Sequence, residues 1–333
     1  MNIVNSQSLL NYNTFKIDVL AELFKSVKSE KDVIKLLQDK RVIKKNKFIL
    51  GGGSNILFTK NLDGLVIYNQ IKGINITQES KTNVEIEVGA GEVWDELVSW
   101  TTKKEYYGIE NLSLIPGSVG AAPIQNIGAY GCELKDCFTK LEAINLDTRE
   151  KVIFKKSDCN FGYRNSIFKN ELKNKFIITR VYLKLMKEKK LNLDYGALRE
   201  KIGDSKISIH DVRNIIIRIR NSKLPNPKYI GNAGSFFKNP IISETHLNKL
   251  KKEHPKIPYF KKDEIKVPAA WLIEKLKWKG YKEKTCGVYD HHALIMINHN
   301  HATGKEIANL AATIKKNVHE HFNIILEEEV SII

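Results

Sequence analysis

Two glycine-rich stretches constrain the fold more than any other feature of this sequence. GGGSN at residues 51–55 lies between two short apolar runs, and IPGSVGAAPIQNIGAYG at residues 115–131 forms a long apolar loop. Alone, GGGSN is typical of a tight turn between strands. It is neither a Walker loop, which needs a following Gly-Lys-Ser/Thr, nor a Rossmann fingerprint, which needs a following helix. Together the two loops let the backbone approach a flat ring or a pyrophosphate, and they favour a dinucleotide such as FAD.

The spacing of apolar residues predicts an α+β chain. In the first half it predicts a helix capped by Ser29, then strands in DGLVIY, KGINIT and NVEIEV, then a helix in EVWDELVSWTTKKE with Val93 on its apolar side. The segment FTKLEAINLDTREKVIF resembles a hairpin that turns at Asp147-Thr148, and KFIITRVYLKL is typical of a further strand.

A helix in HDVRNIIIRIRNSK, stopped by two prolines, marks the main domain boundary near residue 220. Further helices are predicted in SETHLNKLKKEH, in residues 268–280 between Pro268 and Gly280, and in TGKEIANLAATIKKNVHEHF. The segments ALIMIN and NIILEEEVSII are predicted strands. A chain of 333 residues is longer than one hydrophobic core usually organises, so more than one domain is expected.

The net charge of +16 does not identify a nucleic-acid-binding protein. Only eight arginines stand against forty-six lysines, the lysines are scattered, and no basic tract alternates with stacking aromatic residues. Readers of bases and phosphates favour arginine forks. The positive field still favours small phosphorylated ligands.

The sequence also indicates a soluble cytoplasmic protein without a functional metal. No segment approaches the roughly 18 uninterrupted apolar residues of a membrane span, and the N-terminus lacks the pattern of a secretory signal. The four cysteines have no metal-finger spacing. Four histidines lie within residues 291–301, but no carboxylate or cysteine completes a recognisable ligand set.

A series of ordered motifs resembles the UDP-N-acetylenolpyruvoylglucosamine reductase family, in its subfamily with a tyrosine-bearing lid. Besides the two glycine loops they are NTFKID, FGYRNSIFK, SKLPNP, GNAGSFFKNP, AAWLIE, HALIMIN and LEEEV, which span nearly the whole chain. The resemblance implies an FAD-binding module of the vanillyl-alcohol-oxidase (PCMH) type with subdomains at 1–70 and 71–219. An α+β substrate domain at 220–333 would follow, and its last strand would return a catalytic glutamate.

The resemblance also implies the reaction. NADPH would reduce non-covalently bound FAD, and UDP-N-acetylglucosamine enolpyruvate would then be reduced to UDP-N-acetylmuramate for peptidoglycan synthesis. The partners would be these small molecules only, with no nucleic acid and no membrane insertion, and the protein is expected to be a monomer.

By the resemblance, Arg164, Ser235 and Glu329 are the catalytic residues. Arg164 would present a guanidinium fork to the substrate carboxylate, and Ser235 would donate a proton to the α-carbon. Glu329 follows Glu328, which stands where the family pattern has proline, so Glu327 is the alternative.

The remaining site residues divide into two groups. Those expected to contact FAD are Gly51, Gly52, Gly53, Ser54, Asn55, Gly117, Ser118, Gly120, Gln125, Asn126, Gly128 and Tyr130. Those expected to contact the UDP-sugar are Tyr195, Arg220, Lys223, Asn239 and His292, the last standing where relatives carry glutamine.

Two other functions are compatible with the residues alone. A flavin oxidase of the same fold would pass electrons to oxygen, although the glycine loop lacks an obvious histidine or cysteine for covalent flavin attachment. A basic nucleotide- or nucleic-acid-binding protein would instead be colourless and would lose affinity steeply with salt.

Overall fold

A computed structural model describes residues 2–194, 198, 207–261 and 264–333. The chain forms two compact units. The first consists of Met1–Gln7, Leu20–Gly52 and Leu62–Arg220, and the second of Ser8–Val19, Gly53–Asn61 and Asn221–Ile333. The second unit therefore includes two stretches from the first seventy residues. Domains drawn as the consecutive segments 1–70, 71–219 and 220–333 do not describe this grouping.

The first sheet contains parallel strands packed under one helix. Its order is β1-β2-β5-β3, and β5 is parallel to both β2 and β3. The elements are β1 (Val4–Ser8), β2 (Leu20–Val27), α1 (Glu30–Leu37), β3 (Lys47–Leu50) and β5 (Leu62–Asn69), while β4 (Ile56–Leu57) lies in the second unit. The Ser29 hydroxyl accepts a hydrogen bond from the Asp32 N–H at 3.1 Å, which confirms the predicted cap.

The second sheet of the first unit is antiparallel, in the order β11-β10-β12-β7-β6. Its strands are β6 (Ile74–Glu79), β7 (Asn83–Gly89), β10 (Phe138–Asn145), β11 (Lys151–Lys155) and β12 (Phe176–Met186), and a small hairpin pairs β8 (Gly128–Ala129) with β9 (Cys132–Glu133). The register Ile144↔Lys151 confirms the hairpin predicted around Asp147-Thr148.

The described residues of the first unit form two further helices. Helix α2 (Trp94–Lys103) buries Trp94, Leu97 and Val98 in the core beneath the antiparallel sheet. Val93, predicted on the apolar side, precedes the helix and is 40% exposed, so that assignment is wrong. Helix α3 (Ile209–Lys223) buries an apolar stripe and ends just before Pro225. The predicted substrate contact Tyr195 lies outside the described residues.

The second unit combines short strands with three helices. Its remaining elements are β13 (Ile241–Ile242), α4 (Glu244–Glu253), β14 (Phe260–Lys261), β15 (Ile265–Lys266), α5 (Ala269–Lys275), β16 (Cys286–Val288), β17 (Met296–Asn298), α6 (Gly304–Phe322) and β18 (Ser331–Ile332). Strand β18 is parallel to β4, which ties the C-terminus to residues 56–57. Helix α6 begins with a capping box between Thr303 and Glu306.

Three sequence predictions for this unit are wrong in extent. Helix α5 ends at Lys275 instead of Gly280, because Lys277 takes a left-handed conformation (φ 63°) and the Trp278 N–H bonds to the Ile273 carbonyl. The strand expected over 293–298 is reduced to β17, and that expected over 323–333 is reduced to β18 and an isolated bridge at Glu328. In the first segment the Ile295 N–H donates locally to the His292 carbonyl, whereas the hydrogen bonds of the second segment go to the short stretches at residues 236–238 and 55–57.

Within the described residues, no helix combines the length and the hydrophobicity needed to cross a membrane.

Candidate active site

The two glycine loops touch in the first unit. A Cβ atom on Gly52 would lie 2.8 Å from the Gly117 Cα atom, and one on Gly51 would lie 2.3 Å from the Ser118 Oγ atom. The nearest atoms belong to the Gly117 main chain and not to a flexible side chain that could move aside. A larger residue at position 52 would therefore push the two loops apart. The structure therefore brings four of the expected FAD contacts, Gly51, Gly52, Gly117 and Ser118, into one close-packed backbone surface.

The long loop is fixed by hydrogen bonds to the residues around the start of α2. The Trp94 N–H donates to the Gly117 carbonyl at 3.0 Å, and the Val119 N–H donates to the Glu92 carbonyl at 2.8 Å. The Gly120 N–H then donates to the Ala90 carbonyl at 2.8 Å, within a short 3-10 turn over Val119–Ile124. This anchoring keeps a glycine-rich backbone in one conformation, as a cofactor cradle requires.

Asn126 joins the loop to the turn that carries Arg164. Its fully buried side chain donates to the Glu133 carboxylate at 2.9 Å and to the Gly162 carbonyl at 3.1 Å. Its Oδ1 atom accepts from the Lys135 N–H at 3.0 Å. Because these bonds occupy the Asn126 side chain, it supports the loop, and any contact with a cofactor would come from its main chain. The neighbouring Gln125 accepts a hydrogen bond from Lys169 at 3.4 Å.

Arg164 occupies a strained tight turn. Gly162 and Asn165 exchange main-chain hydrogen bonds at 3.1 and 3.3 Å, and Arg164 between them has φ 52°. A non-glycine residue held in the left-handed region costs about 1 kcal/mol or more and commonly marks a functional turn. The Arg164 Nη2 atom donates to the Gly128 carbonyl at 2.6 Å, and the guanidinium lies 5.4 Å from the centre of the Tyr163 ring. Arg164 is thereby held beside the long glycine loop.

Arg220 supplies a buried donor near Tyr130. In the part of the chain that the structure describes, the Arg220 Nε atom is buried and has no hydrogen-bond partner. Burial lowers the pKa of Arg220, whereas Tyr130, which shares a hydrogen bond with it, and Asp95 act in the opposite direction. An unsatisfied guanidinium N–H is costly, and a phosphate oxygen is the acceptor that it fits best.

In the second unit Ser235 lies in an extended segment beside two buried aromatic rings. It forms an isolated antiparallel bridge with Ile295, and the Phe236 N–H donates to the Leu294 carbonyl at 2.8 Å. Phe236 and Phe237 are almost completely buried, with their ring centres 5.1 Å apart. No helix begins at Ser235, so the hydroxyl is not used as a helix cap.

Glu329 lies in the segment that pairs with this one. The Glu329 N–H donates to the Phe236 carbonyl at 2.8 Å, and the Asn55 side chain donates to the Glu329 carbonyl at 3.1 Å. Ser235 and Glu329 are therefore carried by adjacent antiparallel segments, and the expected FAD residue Asn55 is joined to them.

The two glutamates that precede Glu329 form ion pairs. Glu327 pairs with Lys238 at 3.0 Å, and Glu328 pairs with Lys315 of α6 at 2.7 Å. Glu328, which stands where the resemblance implies proline, thus fastens the segment that carries Glu329 to a long helix. Glu327, the alternative to Glu329, is 73% exposed and directed at Lys238, which favours the choice of Glu329.

Gly53 is the first residue of the GGGSN turn that belongs to the second unit, and it is equally constrained. Gly53 has φ 61°, and a Cβ atom there would lie 2.0 Å from the Tyr12 carbonyl oxygen. The Gly53 carbonyl accepts a hydrogen bond from the Thr14 N–H at 3.1 Å. Ser54 and Asn55 follow before β4, so the turn is held to the NTFKID motif at one end and to the Glu329 segment at the other.

The expected contacts for the UDP-sugar in this unit are Lys223, Asn239 and His292. The Asn239 Oδ1 atom accepts from the Ala269 N–H at the start of α5 at 3.0 Å. The His292 Nδ1 atom accepts from the Leu294 N–H at 3.2 Å, which assigns the ring proton to Nε2. Burial, and next the charge of Lys223, lower the pKa of His292. The lowered pKa and the bond at Nδ1 both favour the neutral ring, which offers one N–H donor at Nε2.

Among the described residues, no group of three histidine, cysteine, aspartate or glutamate side chains is arranged to hold a metal ion.

Comparisons with known proteins find relatives along the whole chain. The family described as UDP-N-acetylenolpyruvoylglucosamine reductase, C-terminal domain, matches residues 226–333, and the FAD binding domain family matches residues 21–151. The reductase of Flavobacterium johnsoniae is 45% identical over 339 residues and covers 100% of both chains. The reductase of Pseudomonas aeruginosa is 41% identical over 327 residues, with 97% of this chain and 96% of the relative covered.

The solved structures support the fold. The crystal structure of the UDP-N-acetylenolpyruvylglucosamine reductase of Thermus caldophilus matches with a TM-score of 0.67 at 22% identity, covering 99% of this chain and 98% of that chain. The expected FAD-binding module followed by a C-terminal domain, with mixed helix and sheet content, is confirmed.

The full-length relatives and both domain matches also confirm the expected reaction, the reduction of UDP-N-acetylglucosamine enolpyruvate with FAD as cofactor and NADPH as co-substrate. The chain therefore belongs to the UDP-N-acetylenolpyruvoylglucosamine reductase family of flavin-dependent oxidoreductases.

Proposed function

We propose that Arg164, Ser235 and Glu329 are the catalytic residues of this reduction. The observation that carries the proposal is the hydrogen bond from the Glu329 N–H to the Phe236 carbonyl, which places the Glu329 segment against the Ser235 segment. The strained turn that carries Arg164 has no role in the hydrophobic core, and it supports the assignment of Arg164.

Gly51, Gly52, Gly117 and Ser118 form a close-packed backbone surface without bulky side chains, which supports their proposed contact with FAD. Bound FAD supplies the hydride chemistry, taking electrons from NADPH and delivering them to the enolpyruvyl group. The other residues proposed to contact it are Gly53, Ser54, Asn55, Gly120, Gln125, Asn126, Gly128 and Tyr130.

Arg164 has the task of stabilising charge. Hydride addition at the β-carbon of the enolpyruvyl group drives negative charge onto a carboxylate that is already ionised. A guanidinium is permanently charged and presents two parallel N–H donors to such a group. Its hydrogen bond to Gly128 and the Tyr163 ring hold it in place, so little reorganisation is needed when the charge develops.

Ser235 has the task of protonating the α-carbon. An alcohol is a weak acid, so it serves only where donors stabilise the alkoxide or another group returns the proton. The buried rings of Phe236 and Phe237 limit water around it. Glu329, on the paired segment, is the third member of the proposed set.

For the UDP-sugar we propose Arg220 and Lys223 as phosphate contacts, with Asn239 and His292 as further polar contacts. The unpartnered Arg220 Nε atom supports the first of these, and the neutral donor tautomer of His292 supports the last. Tyr195 completes the proposed set and would make the chain a member of the subfamily with a tyrosine-bearing lid. We also propose a cytoplasmic monomer with subdomains at 1–70 and 71–219 and a substrate domain at 220–333.

Anaerobic spectroscopy of the two half-reactions tests this function. NADPH is expected to bleach the flavin absorbance of the purified protein, and UDP-N-acetylglucosamine enolpyruvate is expected to restore it without air. Restoration by oxygen alone, with no response to the enolpyruvyl compound, would instead identify a flavin oxidase. UDP-N-acetylglucosamine, which lacks the double bond, is the matched control and should leave the reduced spectrum unchanged.

A further inference from the structure

The first turn of α2 is attached at three points to the long glycine loop and to the residues just before it. The Trp94 ring N–H donates to the Leu112 carbonyl at 3.0 Å, and the Trp94 main-chain N–H donates to the Gly117 carbonyl at 3.0 Å. Between them, the Asp95 carboxylate accepts from the Leu114 N–H at 2.5 Å. Leu114 is in the left-handed conformation (φ 59°), so this bond holds a strained residue just before the loop.

The same carboxylate also binds Arg213 of helix α3. Both oxygens are engaged, with Arg213 Nη1 to Asp95 Oδ1 at 2.6 Å and Arg213 Nη2 to Asp95 Oδ2 at 2.9 Å. The Arg213 side chain is only 13% exposed, so the pair is largely shielded from water. Burial alone would raise the pKa of Asp95, but the hydrogen bonds from Arg213 and Leu114 outweigh it and hold this pKa below its ordinary value. Asp95 is therefore a carboxylate with three donors.

Arg213 determines how α3 is rotated at Arg220. The two residues are seven positions apart in one continuous helix, which is nearly two turns, so they lie on the same face. A two-pronged ion pair fixes both the position and the rotation of the helix face that carries it. The charge of Asp95 also acts on Arg220 directly, favouring its protonated form.

We propose that Asp95 is a positioning residue that fixes the FAD loop and the phosphate-binding Arg220 in position relative to each other. Through Leu114 it sets the entry of the glycine loop, and through Arg213 it sets the direction of Arg220. The inference rests on the proposed role of Arg220 in binding the UDP-sugar. It assigns a function to Asp95 and Arg213, which belong to none of the family motifs in the sequence.

Substituting Asp95→Asn keeps the shape but removes the charge that binds both donors. We expect the dissociation constant for FAD and the KM for the UDP-sugar each to rise about tenfold, the loss expected from one charge-assisted hydrogen bond. The kcat at saturating FAD and substrate should change by less than about twofold, because the lost interactions are made equally in the ground and transition states. FAD binding is measured by fluorescence titration of the apoprotein, and KM and kcat by steady-state kinetics.

Substituting Arg213→Lys separates the two branches. The ammonium keeps the charge beside Asp95 but cannot form the fork, while the bond to Leu114 stays. We expect the KM to rise about as much as in the Asp95 variant, with FAD affinity unchanged. This variant also keeps the proposal testable if Asp95→Asn does not fold.

A matched control is available in the same unit. Glu87 pairs with Arg180 at 3.0 Å with similar exposure, but it lies in the antiparallel sheet. The Glu87→Gln variant should lower the melting temperature by an amount comparable to Asp95→Asn and should leave both FAD affinity and KM unchanged. The positioning role is overturned if Asp95→Asn, like Glu87→Gln, changes neither the dissociation constant for FAD nor the KM, so that the two variants differ only in stability.

The decisive comparison uses an Arg220→Ala background. If Asp95 acts on substrate through Arg220, adding Arg213→Lys to Arg220→Ala should raise the KM no further. An equal additional rise in that background would overturn the coupling while leaving the role of Arg220 intact. If Arg220→Ala by itself leaves the KM unchanged, the proposed phosphate contact fails first, and the part of this inference built on it fails too.

Discussion

The Ser235→Ala variant should bind FAD and be reduced by NADPH at close to the normal rate, yet its reoxidation by the enolpyruvyl substrate should be slower by about 10²- to 10⁴-fold. The reason is that Ser235 is required only when the α-carbon takes a proton, which happens in the second half-reaction. Removing one hydroxyl from the partly exposed segment beside Ile295 leaves Phe236 and Phe237 in place. Stopped-flow absorbance of each half-reaction, measured separately and without oxygen, gives both rates.

Ser243→Ala is a suitable control for this variant. The Ser243 hydroxyl accepts the His246 N–H at 3.1 Å and caps α4, so its loss should cost about 1 kcal/mol of stability and change neither half-reaction. Equal losses of both half-reactions in Ser235→Ala would remove the assignment of Ser235 as proton donor, because they would indicate a general disturbance of the site.

The Arg164→Lys variant should lose about 10²- to 10³-fold in the rate of the second half-reaction, the usual effect of removing a preorganised donor from developing charge. A lysine keeps the positive charge but cannot donate two parallel hydrogen bonds to a carboxylate, and its compact ammonium is more strongly hydrated. The hydrogen bond to the Gly128 carbonyl at 2.6 Å would also be altered. The rate of flavin reoxidation after single mixing with substrate measures the effect.

Arg180→Lys provides the matched arginine control. Arg180 pairs with Glu87 in the antiparallel sheet, so its replacement should affect stability alone. Turnover of Arg164→Lys equal to that of the unaltered enzyme would rule out the carboxylate role, and the strained turn would then need another explanation.

Local patterns were sufficient to predict most of the secondary structure. The capped helix α1, the hairpin of β10 and β11 and the long helix α6 all follow from spacing and turn chemistry that act within a few residues. The failures have one local and one long-range cause. Helix α5 ends at the left-handed Lys277, a position normally taken by glycine, and the C-terminal strand is shortened because its partners at residues 56–57 and 236–238 are themselves short.

The glycine loops and motifs predicted the residues of the candidate site but not the residues that support them. Closely spaced glycines predicted a backbone that approaches a flat ring or a pyrophosphate, whereas the contact between the two loops, at Gly52 and Gly117, was not predicted. Asp95 and Arg213 gave no comparable signal, because an acidic residue in the first turn and an arginine on a helix are ordinary helix chemistry. Their pairing joins positions 118 residues apart, which no local pattern reports. The motif assignment of Asn126 likewise did not reveal that its side chain is occupied inside the protein.

A crystal structure of the protein with FAD and the enolpyruvyl substrate tests the central claim most directly. The proposed roles predict that the Arg164 guanidinium lies about 3 Å from the substrate carboxylate and that the Ser235 Oγ atom lies at a similar distance from the α-carbon. If both side chains instead faced bulk water, away from the isoalloxazine ring and the substrate, the proposed chemistry would be contradicted.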